Sequence, residues 1–281
     1  MITIYLQGGL GNQLFQIFTC IAYALRHNIK FNLPLYNQNQ QIAKSPGGCL
    51  RPTFWDNFFI NLKKNVVDNT ILYKNKPRLS EKDHNYNEIP KINQDFMLTG
   101  YFQSYKYFQD QFDSIAEIIN INLFQKKIKE QYKDILIGDT ISMHFRLGDY
   151  KKNVAVHNIL SIDYYICALT EIMQKTNKDN FTVVYFCEDE DVETVKNNIN
   201  QIKQIHKNCQ FERGKGEDWE ELLLMSICNH NIIANSSFSW WGAYFNKNTD
   251  KIVCRPNKWF NIKFNNFNDN DLSPDTWIKF Q

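Results

Sequence analysis

The sequence predicts an α/β chain with parallel sheets, organised as two successive units. Three observations carry this. Short apolar, β-branched runs alternate with stretches whose apolar residues recur at i, i+3, i+4 and i+7. The alternation occurs twice, from Ile2 and again from near Gly138, and strands separated by helices pair in parallel. The 281 residues, 43% hydrophobic and 22% charged, have ordinary globular usage and a length that favours two domains over one. The expected division is 1–135 and 136–281.

Ile2 to Leu6 reads as a strand and Gln7-Gly8-Gly9-Leu10-Gly11-Asn12 as a turn. Leu14, Ile17, Phe18, Ile21, Ala22 and Leu25 then form the stripe of a helix packed on a sheet. Lys30 to Leu35 is a candidate second strand. Residues 36–95 are polar and studded with aromatics, without a clear period, and no element is assigned there. Phe96 to Phe102 is strand-like, followed by a helical stretch from about Tyr105 to Ile119. In the second half Thr140 to Phe145 is a strand and Leu147 to Leu160 a loop. Ser161 caps a helix that buries Tyr165, Ala168, Leu169, Ile172 and Met173. Phe181 to Cys187 is a strand ending in Glu188-Asp189-Glu190-Asp191. Trp219, Leu222, Leu223 and Ile227 mark a helix, Asn231 to Ala234 a short strand, and Ser236 to Phe245 a turn entering a helix. The Asn-rich stretch from Asn261 to Asp271 reads as a solvated loop or tail.

Composition excludes several classes. Lys+Arg 32 against Asp+Glu 30 leaves +2, so no strong field draws the chain to nucleic acid or anionic lipid, and any phosphate binding is local. The seven cysteines are scattered without a Cys-x-x-Cys pair, the pattern of reduced, buried thiols rather than a disulfide framework or zinc ribbon. No run reaches the roughly 18 apolar residues of a membrane span. The opening residues lack the basic region and cleavage site of a signal peptide, and a cytoplasmic protein is expected. At 15%, the aromatic content fits a large core, a sugar-binding cleft, or both.

Four segments carry candidate chemistry. The turn at Gly9 and Gly11 lets backbone N–H groups approach an anion or sugar beside a helix N-terminus, though it serves equally as a plain tight turn. A dinucleotide site is disfavoured, because Leu14 stands where a third small residue is needed and no acid lies between Asn28 and Gln41. His144-Phe145-Arg146-Leu147-Gly148-Asp149-Tyr150 sits where a strand ends, the usual ligand crevice of an open α/β sheet. Arg146 there can hold a diphosphate through two prongs, or pair with Asp149 as scaffold. Asn235-Ser236-Ser237-Phe238-Ser239-Trp240-Trp241-Gly242-Ala243 offers hydroxyls and N–H groups to phosphate and paired Trp to a sugar or base. The same residues fit an N-capping Ser followed by core aromatics. For the acids at 188–191 three roles are open: a metal through Asp189 and Asp191, a favourable helix-start charge, or hydrogen bonds to a nucleobase or ribose. The metal ranks lowest, since no His is near and Arg146 already neutralises charge.

Five segments in order, at 8–16, 100–108 (Gly-Tyr-Phe-Gln-Ser-Tyr-Lys-Tyr-Phe), 144–150, 186–189 and 235–243, resemble the α-1,2-fucosyltransferases of glycosyltransferase family 11 over nearly the whole chain. The resemblance implies a GT-B architecture of two Rossmann-like domains facing a central cleft, with the acceptor on the N-terminal side and the donor on the C-terminal side. It implies inverting transfer of L-fucose from GDP-fucose to the 2-hydroxyl of a galactose-containing oligosaccharide, with no cofactor and no metal. Arg146 would hold the donor diphosphate and His144 shape the same strand end. Asn235, Ser236, Ser237 and Phe238 would contact the diphosphate or sugar, and Glu188 or Asp189 the guanosine. Gly9, Gly11 and Asn12 would line the cleft. The family often has a second Arg where this chain has Leu147, which leaves another GDP-sugar, or another acceptor, open. A protein that keeps the fold but only binds glycan or nucleotide is a further alternative. His157 and then Asp149 are the candidate general bases. A membrane-borne acceptor would bring the enzyme to the inner membrane face as a peripheral protein.

Overall fold

The computed structural model describes residues 1–35, 51–68, 76–152, 154–261 and 269–280. All pairings between its strands are parallel, as strand–helix alternation requires. The chain divides into two units, Met1–Phe124 with Asn266–Pro274, and Gln125–Asn265 with Asp275–Gln281.

In the first unit β1 (Ile2–Ile4) leads to α1 (Leu10–His27) and β2 (Leu33–Leu35), then β3 (Val66–Asp68), β4 (Arg78–Ser80) and β5 (Phe96–Thr99). One sheet has the order β1–β5–β4, and β2 pairs with β3 separately. The stripe Leu14, Ile17, Phe18, Ile21 and Ala22 is fully buried, with Phe15 and Phe18 against Phe108, whereas Leu25 stays exposed at the last turn. The strand expected to reach Phe102 stops at Thr99, because Gly100 (φ +152°) and Phe102 (φ +53°) turn the backbone out of the extended region. The helical stretch beyond it is a single 3₁₀ turn at Tyr105–Tyr107 followed by α2 (Phe112–Ile119). Of the Asn-rich stretch, 262–268 lies outside the described residues, and its end is anchored. Asp271 accepts from Ser104 Oγ through its carbonyl and pairs with Lys106, and Leu272 and Ser273 are buried. These bonds tie 269–274 to the first unit, whereas the sequence reading gave all of 136–281 to one body.

After α3 (Ile121–Gln131) the second unit runs β6 (Thr140–His144), α4 (Ile162–Thr176), β7 (Thr182–Phe186), α5 (Val192–Ile205) and β8 (Gln210–Arg213). It continues with α6 (Asp218–Ser226), β9 (His230–Ile232), α7 (Ser237–Phe245), β10 (Val253–Pro256) and β11 (Ile278–Phe280). The six strands stand in the order β8–β7–β6–β9–β10–β11. Tyr165, Ala168, Leu169 and Ile172 of α4 join Met143, Val183 and Ile232 in the core. Each of α1, α2 and α4 is closed by an asparagine in the left-handed region, Asn28, Asn120 and Asn177. The six cysteines among the described residues are free thiols, all buried except Cys167. No described helix is long and apolar enough to cross a membrane.

Candidate functional site

The strand order of the second unit locates a crevice before any side chain is considered. The first strand of the unit, β6, is internal to the sheet; β7 and β8 add on one side, β9, β10 and β11 on the other. The connections therefore diverge between β6 and β9, and open sheets of this order bind ligands outside the carboxyl ends of the strands at that point. Three of the sequence-selected segments leave this same edge: 144–150 after β6, 187–191 after β7 and 234–239 after β9.

Arg146, 19% exposed, forms an ion pair with Glu188 rather than being held only by its own loop. Its guanidinium also lies 5.1 Å from the centroid of the Tyr150 ring, a cation–π distance. The Tyr150 hydroxyl donates to the Asn235 carbonyl at 2.9 Å, and its ring stacks on His157 at 4.0 Å and 11°. Tyr150 thus links Arg146, His157 and the end of β9. At Gly148 (φ +21°) an added Cβ would lie 2.5 Å from a Glu188 carboxylate oxygen, so only glycine lets this loop pass the carboxylate. Its N–H donates to the buried Asp191 at 2.7 Å, and Asp191 also pairs with Lys151. His144 is buried against Phe238 (5.7 Å between centroids), and burial, aided by Arg146, pushes it down to about 3. It is neutral at ordinary pH and shapes the strand end without adding charge. Leu147 packs into the hydrophobic core, so this position supplies no second cation.

Beyond β9, Asn235 is buried and donates to the carbonyls of Asn158 (2.9 Å) and Trp259 (3.0 Å). Ser236 caps α7 by accepting from the Phe238 N–H, and Ser237 and Phe238 remain half-buried at the helix start. Trp240 and Trp241 are fully buried core residues, Trp240 stacking on Tyr244; they form no sugar-binding wall. At the far end of α7, Lys251 donates to the carbonyls of Ala243 (2.9 Å) and Asn246 (2.6 Å), a cation where the helix dipole favours one, and burial lowers it to about 8.

The acids separate by partner. Asp189 is exposed and bonded to Arg213 and Lys215, which hold its carboxyl below the usual range, whereas Asp191 is buried on Gly148 and Lys151. Their carboxylates engage opposite sets of groups, which disfavours a shared ion between these two. Glu188, Glu190 and Asp191 do approach within 4.8 Å of one another, but Glu188 and Asp191 are already committed to cations. His157 lies flat on Tyr150, its backbone bridged to Phe260. The Asp149 side chain lies outside the described residues.

In the first unit, Gly9 is the extended N-cap of α1 and faces open space, Gly11 is buried in the first turn, and Asn12 accepts from Gln103 at 2.8 Å. The glycine that the turn demands is Gly8 (φ +77°), where a Cβ would lie 2.4 Å from Asn12 Nδ2. Gln13 donates to the carbonyls of Gly8 and Pro52; Gln16 accepts from the Gln7 N–H and donates to the Gly100 carbonyl. These amides are not among the residues that the sequence singles out. Two glutamines three apart on a buried apolar stripe were the available signal, since buried polar groups are kept only where they are bonded.

The profile of glycosyl transferase family 11 matches residues 1–281. An alpha-1,2-colitosyltransferase of Escherichia coli is 30% identical over 98% of this chain and 97% of its own length. The O-antigen biosynthesis glycosyltransferase WbnK of Escherichia coli is 28% identical over 97% of this chain and 98% of its own. Among solved structures, E. coli ADP-heptose LPS heptosyltransferase II superimposes with a TM-score of 0.51 at 8% identity, covering 99% of this chain and 89% of that one. That likeness speaks to the fold, an α/β, GT-B-like arrangement with parallel sheets. With a family match across its full length and relatives of matching extent, the chain is a glycosyltransferase and belongs to glycosyl transferase family 11.

Proposed function

We propose that the protein transfers L-fucose from GDP-fucose to the 2-hydroxyl of a galactose-type acceptor, with inversion at the anomeric carbon. The observation that carries this reading is Arg146, held at the divergence between β6 and β9, on the same carboxyl edge from which α7 begins. Breaking a glycosyl phosphate bond builds positive charge on the sugar and negative charge on the departing diphosphate, as in glycoside cleavage. A guanidinium that never titrates, with a helix N-terminus beside it, stabilises that diphosphate where the charge develops. In this proposal Arg146 and the start of α7 at Ser236, Ser237 and Phe238 take the diphosphate, Asn235 fixes the loop, and Glu188 or Asp189 meets the guanosine. Gly9, Gly11 and Asn12 belong to the acceptor side. No metal is required.

A second reading keeps the chemistry and changes the donor to another GDP-activated deoxyhexose. The relative named for colitosyl transfer, and Leu147 in the core where a second Arg is common, support it. Incubation with GDP-fucose and with GDP-colitose, each with lactose and excess chelator, followed by mass measurement and linkage analysis, decides between them. A product carrying α-1,2-linked fucose supports the first. Nucleotide binding with no product from any GDP-sugar across an acceptor panel overturns both.

A further inference from the structure

Of the segment 144–150, the proposed transfer uses Arg146 and His144 and leaves Tyr150 without a part. We propose that Tyr150 is a positioning residue: the face of its ring holds the Arg146 guanidinium in place while Glu188 gives way to the diphosphate. The role rests on the proposed transfer, and every group it needs belongs to the second unit.

A cation that is to meet a diphosphate is poorly served by an anion alone. The bond from Arg146 Nη1 to Glu188 is lost when the ligand takes the guanidinium, and a long side chain released at that moment must be ordered again. Tyr150 supplies a hold of a different kind. Its ring centroid lies 5.1 Å from the guanidinium carbon. A π face attracts positive charge without bringing a negative one, so the incoming diphosphate has no rival anion to displace there. The guanidinium then keeps its place with Glu188 bound and with Glu188 gone, and a donor placed in advance costs no reorganisation as charge develops.

The ring can hold Arg146 only because it is itself fixed. Its hydroxyl donates to the carbonyl of Asn235, just beyond β9, at 2.9 Å. Asn235 is buried and anchored in turn on the carbonyls of Asn158 and Trp259. Against the ring lies His157, stacked at 4.0 Å and 11°. His157 is secured from the segment 259–261: Asn261 donates through its amide to the His157 carbonyl at 3.1 Å and through its N–H to the Val156 carbonyl at 2.8 Å. The loop that begins at Arg146 is therefore closed by the end of β9 and by 259–261, and Tyr150 joins that frame to the cation. In this arrangement His157 backs the ring.

A double-mutant cycle tests the role. Tyr150→Leu and Tyr150→Phe are made alone and with Arg146→Ala, and circular dichroism verifies folding. Calorimetry measures GDP affinity, and product mass measures transfer from GDP-fucose or GDP-colitose to lactose. Leucine removes the π face, so GDP affinity and kcat/KM should fall by roughly 2- to 30-fold, the range of one cation–π contact. Phenylalanine keeps the face and loses the bond to Asn235, so its loss should be the smaller, roughly 2- to 10-fold. Because Tyr150 acts through Arg146, both losses should shrink to less than about twofold once Arg146 is alanine, whereas a residue that only supports the fold would cost the same in both backgrounds. Equal losses with and without Arg146, or a Tyr150→Leu protein of parental affinity and rate, overturn the assignment. A wild type that binds GDP and yields no product overturns the transfer reading instead, and the cycle in GDP affinity still decides the part of Tyr150. A wild type that binds no GDP overturns both.

Discussion

The two units present the same sheet edge with opposite chemistry. At the carboxyl edge of β6, β7 and β9 the candidate side chains are ionic, with Arg146 on Glu188, Lys151 on Asp191, and Arg213 and Lys215 on Asp189. At the carboxyl edge of β1, β5 and β4 the loops are held by the neutral amides Gln13, Gln16 and Gln103 and by Glu81, whose carboxylate accepts from the Tyr101 and Phe102 N–H groups. Under the proposed transfer, the difference matches what each edge would do. A departing diphosphate needs fixed positive charge, and an acid that sits there becomes a tenant that the ligand must displace. A neutral acceptor sugar would need hydrogen-bonding groups rather than fixed charge.

The largest effect expected is at Arg146. Arg146→Ala should lower transfer by about 10²- to 10³-fold, the usual cost of losing one preorganised donor at a developing oxyanion. Arg146→Lys should recover little of it, because an ammonium cannot reproduce the two-pronged contact. Steady-state kinetics with circular dichroism to verify folding checks both. If Arg146→Lys were fully active, the contrast between the two edges would lose its ionic side.

A smaller effect sharpens the idea of Glu188 as tenant. Glu188→Gln removes the charge that competes for Arg146, so inorganic diphosphate should bind more tightly. The gain should be up to about 1 kcal/mol, roughly fivefold, since the pair is partly exposed. If the released Glu188 then reads guanine, GDP should gain less than inorganic diphosphate does. Calorimetric titration of both ligands measures the gap, and equal changes would remove Glu188 from guanosine recognition.

On the amide side, Gln16→Ala removes two bonds that tie α1 to the loops at Gln7 and Gly100. It should destabilise the fold by about 1–3 kcal/mol through the buried groups left unsatisfied. Because no ion pair is involved, the loss in chemical denaturation should be the same at low and high salt. A strongly salt-dependent loss would contradict the neutral reading of this edge.

What was legible in the sequence was what local order determines. The stripe of α1, the strand β6 and the cap at Ser236 each announce themselves within a dozen residues, and Arg146 stands out by its place two residues beyond a strand. Helix α5 was not read, because only Val195, Ile199 and Ile202 are buried in an otherwise polar segment. Strand β11 has three residues and depends on pairing with β10. Glu81 was invisible for a different reason: its partners Tyr101 and Phe102 lie about twenty positions on and meet it only because β4 and β5 are neighbours. The separate partners of Glu188 and Asp189 depend on Arg213, the last residue of β8, and on Lys215 just beyond it. The return of 269–274 to the first unit depends on Ser104 and Lys106, far away in sequence.

The most direct measurement is a crystal structure of the protein with GDP bound. The diphosphate should lie on Arg146 and the amino end of α7, with Glu188 displaced from the guanidinium. A diphosphate bound away from position 146, with the Arg146–Glu188 pair intact, would contradict the account.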